Sequence, residues 1–131
     1  MFRFLIVFIC IFFSIASHAK PANAEECGDF AKEINKYLPQ SMDKITVLNS
    51  IRCLPPIAKK QVLQYRESLS VSKDKINMEL IPAIKSNLSQ TACTTADQRK
   101  ILNMFDIEYL FVDMSGSFVT RFLLQVEDCK N

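Results

Sequence analysis

The first 24 residues constrain all that follow, because they decide in which compartment the rest of the chain folds. Arg3 supplies a positive charge, Phe4 to Ala16 is an apolar run, and Ala22-Asn23-Ala24 puts small residues at the two positions a signal peptidase reads. A permanent membrane-spanning helix needs about 20 apolar residues, and this run is shorter. The segment 1–24 therefore reads as an export signal cleaved after Ala24, with 25–131 as a single mature domain. That domain is expected in the periplasm or outside the cell, meeting a membrane only during export.

Removing 24 of 131 residues leaves 107, enough for one modest core and too few for two domains. Arg3 and Lys20 leave with the signal, so the 16 Lys and Arg fall to fourteen, matching the 14 Asp and Glu. A neutral chain with isolated basic pairs (Lys59-Lys60, Arg99-Lys100) gives no reason to expect nucleic acid as a partner. The sole histidine, His18, is also lost, and there is no tryptophan. Histidine-based nucleophile activation, a histidine general base and imidazole-bound catalytic zinc are thereby excluded, and no metal or cofactor is expected.

Cys10 goes with the signal, and Cys27, Cys53, Cys93 and Cys129 remain, separated by 26, 40 and 36 positions. Four cysteines in a small exported domain read as two disulfides, since a four-thiolate metal site needs closely spaced pairs. Of the three pairings, Cys27–Cys53 with Cys93–Cys129 is preferred. Each bridge then joins a helix end to a nearby strand without crossing the whole chain.

Phe30, Ile34 and Leu38 after Gly28-Asp29 predict a short helix capped by Asp29 and ended by Pro39. Ile45 to Cys53 and Leu63 to Val71 alternate as strands, the second with Gln64, Arg66, Ser68 and Ser70 on its wet side. Ile76, Leu80, Ile84 and Leu88 switch to a helical period, with Pro82 either kinking one helix or opening the second of two. Thr95 to Gln98 matches a capping box for a further short helix. Ile107–Val112 and Phe118–Val126 then form a hairpin around the turn Asp113-Met-Ser-Gly116. The expected fold is α+β: a mostly antiparallel four-stranded sheet of two hairpin-like pairs, with helices mainly on one face.

The last hairpin is apolar on both sides. Ile107, Tyr109 and Phe111 oppose Leu110 and Val112 on its first strand, and Phe118, Phe122, Leu124 and Val126 oppose Val119 and Leu123 on its second. Either helices cover both faces, or Leu110, Val112, Val119 and Leu123 form an interaction surface for a protein partner or a second copy. Ser-x-x-Lys at Ser41, Ser70 and Ser72 lacks the companion motifs of penicillin-recognising enzymes and counts as chance. Asp106 and Glu108 share a strand face and are the remaining acid–base candidates, with rim charge as the plainer reading. Asn87-Leu88-Ser89 matches a glycosylation acceptor inside a predicted helix and counts as coincidence.

Cys93, the short helix after it with Arg99, Tyr109-x-Phe111-x-Asp113-x-x-Gly116 and the closing Asp128-Cys129 resemble a pattern in small exported bacterial proteins of uncharacterised function. Leu38-Pro39 followed by Asp43 and Thr46 is similar to their N-terminal part. The resemblance spans residues 34 to 129 and implies a periplasmic α+β domain with Cys93 bridged to Cys129. It implies no activity.

The function expected on these grounds is that of a non-enzymatic binding or accessory protein of the bacterial envelope, for instance an inhibitor or immunity-type protein acting through the apolar hairpin. A small secreted hydrolase using Asp106 and Glu108 is the alternative.

Overall fold

The protein is described from a computed structural model, in which residues 20–129 are placed. The apolar run, Cys10 and His18 lie outside the described residues, so the leader assigned to residues 1–24 is met only at its last five positions. Helix α1 (Ala24–Asn35) begins inside that segment. Asn23 caps it: its side-chain oxygen accepts from the Glu26 N–H at 2.9 Å, and the Glu26 carboxylate accepts from the Asn23 N–H at 3.5 Å. This reciprocal capping box satisfies two otherwise orphaned donors, so the helix starts there and not at the expected Asp29. Cys27, Ala31 and Ile34, spaced three and four apart, form its buried stripe. At its end, Asn35 clamps β2 by accepting from the Ile51 N–H at 2.8 Å and donating to the Ile51 carbonyl at 2.6 Å.

The chain passes a cis Leu38–Pro39 bond into a two-residue strand β1 (Gln40–Ser41), then β2 (Thr46–Leu54) and β3 (Val62–Leu69). Two single 3-10 turns, Lys73–Lys75 and Met78–Leu80, lead to α2 (Ile81–Thr94). Pro82 stands in the first turn of α2, where its missing N–H has no helical partner to lose. Thr95 caps α3 (Ala96–Met104) by position only, because its side chain makes no capping bond and the expected capping box is not formed. Strands β4 (Asp106–Val112) and β5 (Phe118–Leu124) follow, then a 3-10 turn at Val126–Asp128.

The sheet has five strands in the order β1-β2-β3-β4-β5, antiparallel throughout except where β3 and β4 run parallel. Two corrections to the expected sheet follow. A short edge strand is added, and the two hairpin-like pairs join in parallel. The join is parallel because the helical crossover carries the chain back to the end of the sheet where β3 began, as parallel neighbours require.

The three helices among the described residues pack on one sheet face. Cys27, Ala31 and Ile34 of α1, Ala92 of α2, and Ile101 and Leu102 of α3 share one core with Ile51, Leu63, Tyr65, Ile107, Tyr109 and Leu124. Tyr65 and Tyr109 meet edge-on at 5.5 Å, and Tyr109 continues to Phe122 at 5.2 Å. Cys27–Cys53 and Cys93–Cys129 are bonded, with Cα atoms 5.8 and 5.4 Å apart. The pairing is the one preferred from spacing. One bridge fastens α1 to β2, and the other ties the end of α2 to the end of the chain.

The hairpin turn forms as expected, with Gly116 at φ +85°. Asp113 organises it by accepting from the Ser115 and Ser117 N–H groups, each at 2.9 Å, and from the Ser115 hydroxyl at 2.7 Å. Its other oxygen accepts from the Lys73 N–H at 2.9 Å, fixing the start of the crossover to the hairpin tip. The Ser115 hydroxyl above all, and then these backbone amides, hold the carboxyl down at about 2 against a smaller opposing effect of desolvation.

Candidate functional site: the open face of the sheet

The alternation that sends Ile51, Leu63, Tyr65 and Ile107 to the helices sends their neighbours to the opposite face. Register then decides which of these meet. Arg52 pairs with Gln64, Gln64 with Glu108 and Glu108 with Leu123, making one row across four strands. Beside it run Ser50, Arg66, Leu110 and Arg121.

The first row is bonded throughout its polar part. Arg52 Nε donates to Gln64 Oε1 at 2.7 Å, and Gln64 Nε2 donates to Glu108 Oε2 at 2.6 Å. Arg121 Nε lies 3.8 Å from the other Glu108 oxygen. Gln64, assigned by alternation to the wet side of its strand, is instead buried, because Arg52 and Glu108 flank it on both sides. This row floors an open cleft of about 540 Å³, walled by Leu54, Pro55 and Ile57 on one side and by Leu123 on the other. Ile57 is 65% exposed.

The electrostatic character of the face follows from these bonds. Arg52, Arg66 and Arg121 are exposed and come from three different strands, Arg66 and Arg121 on either side of the half-buried Leu110 and Arg52 in the next row. Glu108 is buried, and its charge is already met by Gln64 and Arg121. The outward aspect is therefore guanidinium and aliphatic side chain.

Leu110 and Leu123, two of the four surface candidates, are half-buried on this face. Val112 is buried, and Val119 is 4% exposed inside the helix-side core. An irregularity in the β4–β5 register between Phe111 and Val112 turns Val119 inward, so it contributes nothing to a surface. Asp106 and Glu108 do share a face of β4, but each is held separately. Asp106 lies 3.7 Å from Lys60 Nζ and accepts from Gln125 Nε2 at 3.2 Å, while only Glu108 lines the cleft. Two carboxylates each neutralised by its own cation are not arranged as a proton donor beside a free base. Among the described residues no group of three or more His, Cys, Asp or Glu is placed to hold a metal ion.

Sequence reasoning missed Arg52, Gln64, Arg66 and Arg121. Each is an ordinary polar residue within its own strand, and only the parallel β3–β4 register shows that Arg66 and Arg121 flank Leu110 while Arg52 and Gln64 line up with Glu108.

One more ionisable group lies on the helix side. Glu67 stands in register with Leu48 and Phe111 and is 5% exposed. Burial raises its carboxyl to about 7, and the nearby negative charge of Asp43 adds to the rise. Burial likewise raises the Tyr65 and Tyr109 hydroxyls well above their ordinary value.

No known protein family matches the chain, and neither does any curated protein. Three solved structures share its fold. A Pseudomonas aeruginosa protein described as secreted superposes with a TM-score of 0.62 at 15% identity, over 78% of this chain and 88% of its own. The pilotin EpsS of the Vibrio vulnificus type 2 secretion system gives 0.62 at 11% identity, over 80% and 89%. The type II secretion system pilotin AspS of Vibrio cholerae gives 0.57 at 16% identity, over 79% and 88%. At these identities the likeness is one of fold.

Proposed function

We propose that this chain is an exported, non-enzymatic accessory protein of the bacterial envelope that acts by binding a protein partner. The observation that carries the reading is the sheet face that no helix among the described residues covers, where exposed Arg66 and Arg121 flank Leu110 and exposed Arg52 stands in the next row, beside a cleft with apolar walls. The partner that fits is a segment combining acidic and aliphatic side chains. Its carboxylates meet Arg52, Arg66 and Arg121, and its apolar groups enter between Ile57 and Leu123. Two further facts support the class. The two disulfides suit an oxidising compartment, and the fold is shared with two pilotins of secretion systems and with a protein described as secreted.

The test is capture from envelope extract with the oxidised domain as bait, alongside the double variant Arg66→Glu, Arg121→Glu. Both positions are exposed, but Arg121 also faces the buried Glu108, so circular dichroism and the urea midpoint of the variant must match the wild type before capture is scored. A partner retained by the wild type and lost from the variant is the expected result. Equal retention by both baits overturns the assignment of this face.

A further inference from the structure

We infer that the leader is cleaved after Ala19 rather than after Ala24, so that Lys20 to Ala24 remain part of the mature domain. The inference rests on the export reading and goes beyond it by assigning the processing site.

Residues 22–24 are built into the fold. Ala22 is 6% exposed, belongs to the core, and donates its N–H to the Met104 carbonyl at the end of α3, at 3.2 Å. Asn23 supplies the capping box of α1, and its carbonyl accepts the first helical bond, from the Cys27 N–H at 2.9 Å. Ala24 is the first residue of the helix. A cut between Ala24 and Glu25 removes all of these and leaves the first-turn amides uncapped. It also places a new ammonium group at the positive end of the helix dipole, where a cation is unfavourable. Ser17-His18-Ala19 offers the same small-x-small pattern directly behind the apolar run that ends at Ala16. The two matches thus divide between two tasks: Ser17 and Ala19 for the peptidase, Ala22 and Asn23 for the domain.

The experiment is production of the full chain with its own leader, followed by intact-mass measurement of the exported protein and Edman sequencing of its first residues. An N-terminus at Lys20 is the expected result. An N-terminus at Glu25 overturns this inference while leaving the export reading intact, whereas a chain that keeps Met1 and stays in the cytoplasm overturns both. Two variants separate the sites. Ala19→Gln is expected to abolish processing and accumulate precursor. Ala24→Gln, at an exposed helical position, is expected to leave the Lys20 terminus unchanged. The reverse pattern refutes the proposal.

Discussion

Gln64 donates to Glu108 across the parallel strand pair, Nε2 to Oε2 at 2.6 Å, while its own carbonyl oxygen accepts from Arg52. One buried amide therefore links a guanidinium on β2 to a carboxylate on β4, across a strand that lies between them. The consequence for the open face is electrostatic. The one carboxylate at the cleft is already met by Gln64 and Arg121, and Arg52 and Arg66 retain their outward charge.

Removing the acceptor tests that linkage. Glu108→Ala leaves the Gln64 amide as a buried donor without its partner, which costs about 1 to 3 kcal/mol. Urea denaturation measures the loss. A midpoint unchanged from wild type would show that the amide finds water or another acceptor.

Glu67 makes stability depend on pH in the direction opposite to an ordinary surface carboxylate. Its carboxyl holds its proton to about 7 in the folded chain, against 4.5 for the unperturbed group. Between those values the folded state binds more protons, so this contribution is fully present below 4.5 and is lost as pH rises through 7. The ceiling on the loss is about 3 kcal/mol at 1.36 kcal/mol per pKa unit. Asp113 acts the other way and at lower pH, its contribution fading as pH falls from 3.8 toward 2. Urea midpoints at about pH 5 and about pH 8 therefore isolate Glu67, with the higher midpoint expected at the lower pH. Glu67→Gln is expected to flatten that difference, and an equal slope in the variant would assign it to other groups.

Asn23 carries a further expectation. Asn23→Ala removes one half of the capping box at the start of α1, a loss of about 1 kcal/mol. For a domain of this size that lowers Tm by about 4 °C or more. A mature protein indifferent to the substitution would mean that the cap contributes nothing to it.

The bridge between Cys93 and Cys129 closes a loop with a sequence separation of 36 residues and fastens the end of α2 to the C-terminal turn. In the chain-entropy account its removal, as Cys93→Ala with Cys129→Ala, costs about 3 to 4 kcal/mol. Chemical denaturation of the oxidised double variant against wild type gives the value directly.

Much of the fold was readable along the chain because the signals were local. The alternation of Leu63, Tyr65 and Leu69, the turn at Asp113 to Gly116 and the two disulfides all follow from neighbouring residues or from cysteine spacing. What escaped depends on non-local register. No pattern within β3 or β4 announces that Val62 lies beside Asp106 in parallel, and the place of Gln64 between Arg52 and Glu108 follows from that pairing alone. Val119 escaped for a related reason, since a register irregularity in the hairpin reverses its side where strict alternation puts it outward. The start of α1 was missed because residues 22–24 look like a peptidase motif and a helix cap at once. Of the candidate surface, Leu110 and Leu123 were legible as apolar residues on the second side of the hairpin, with its covering left open, whereas the gathering of arginines from three strands beside them was not.

The central claim is that a partner meets the open face of the sheet. Site-specific photo-crosslinking in the intact envelope tests it most directly, with the reactive group placed at Ile57 beside the cleft or at exposed Asn87 on α2. The account predicts a discrete crosslinked partner from position 57 that disappears when Arg66→Glu and Arg121→Glu are introduced, and none from position 87. A crosslink from position 87 alone, or one from position 57 that survives the arginine changes, would contradict it.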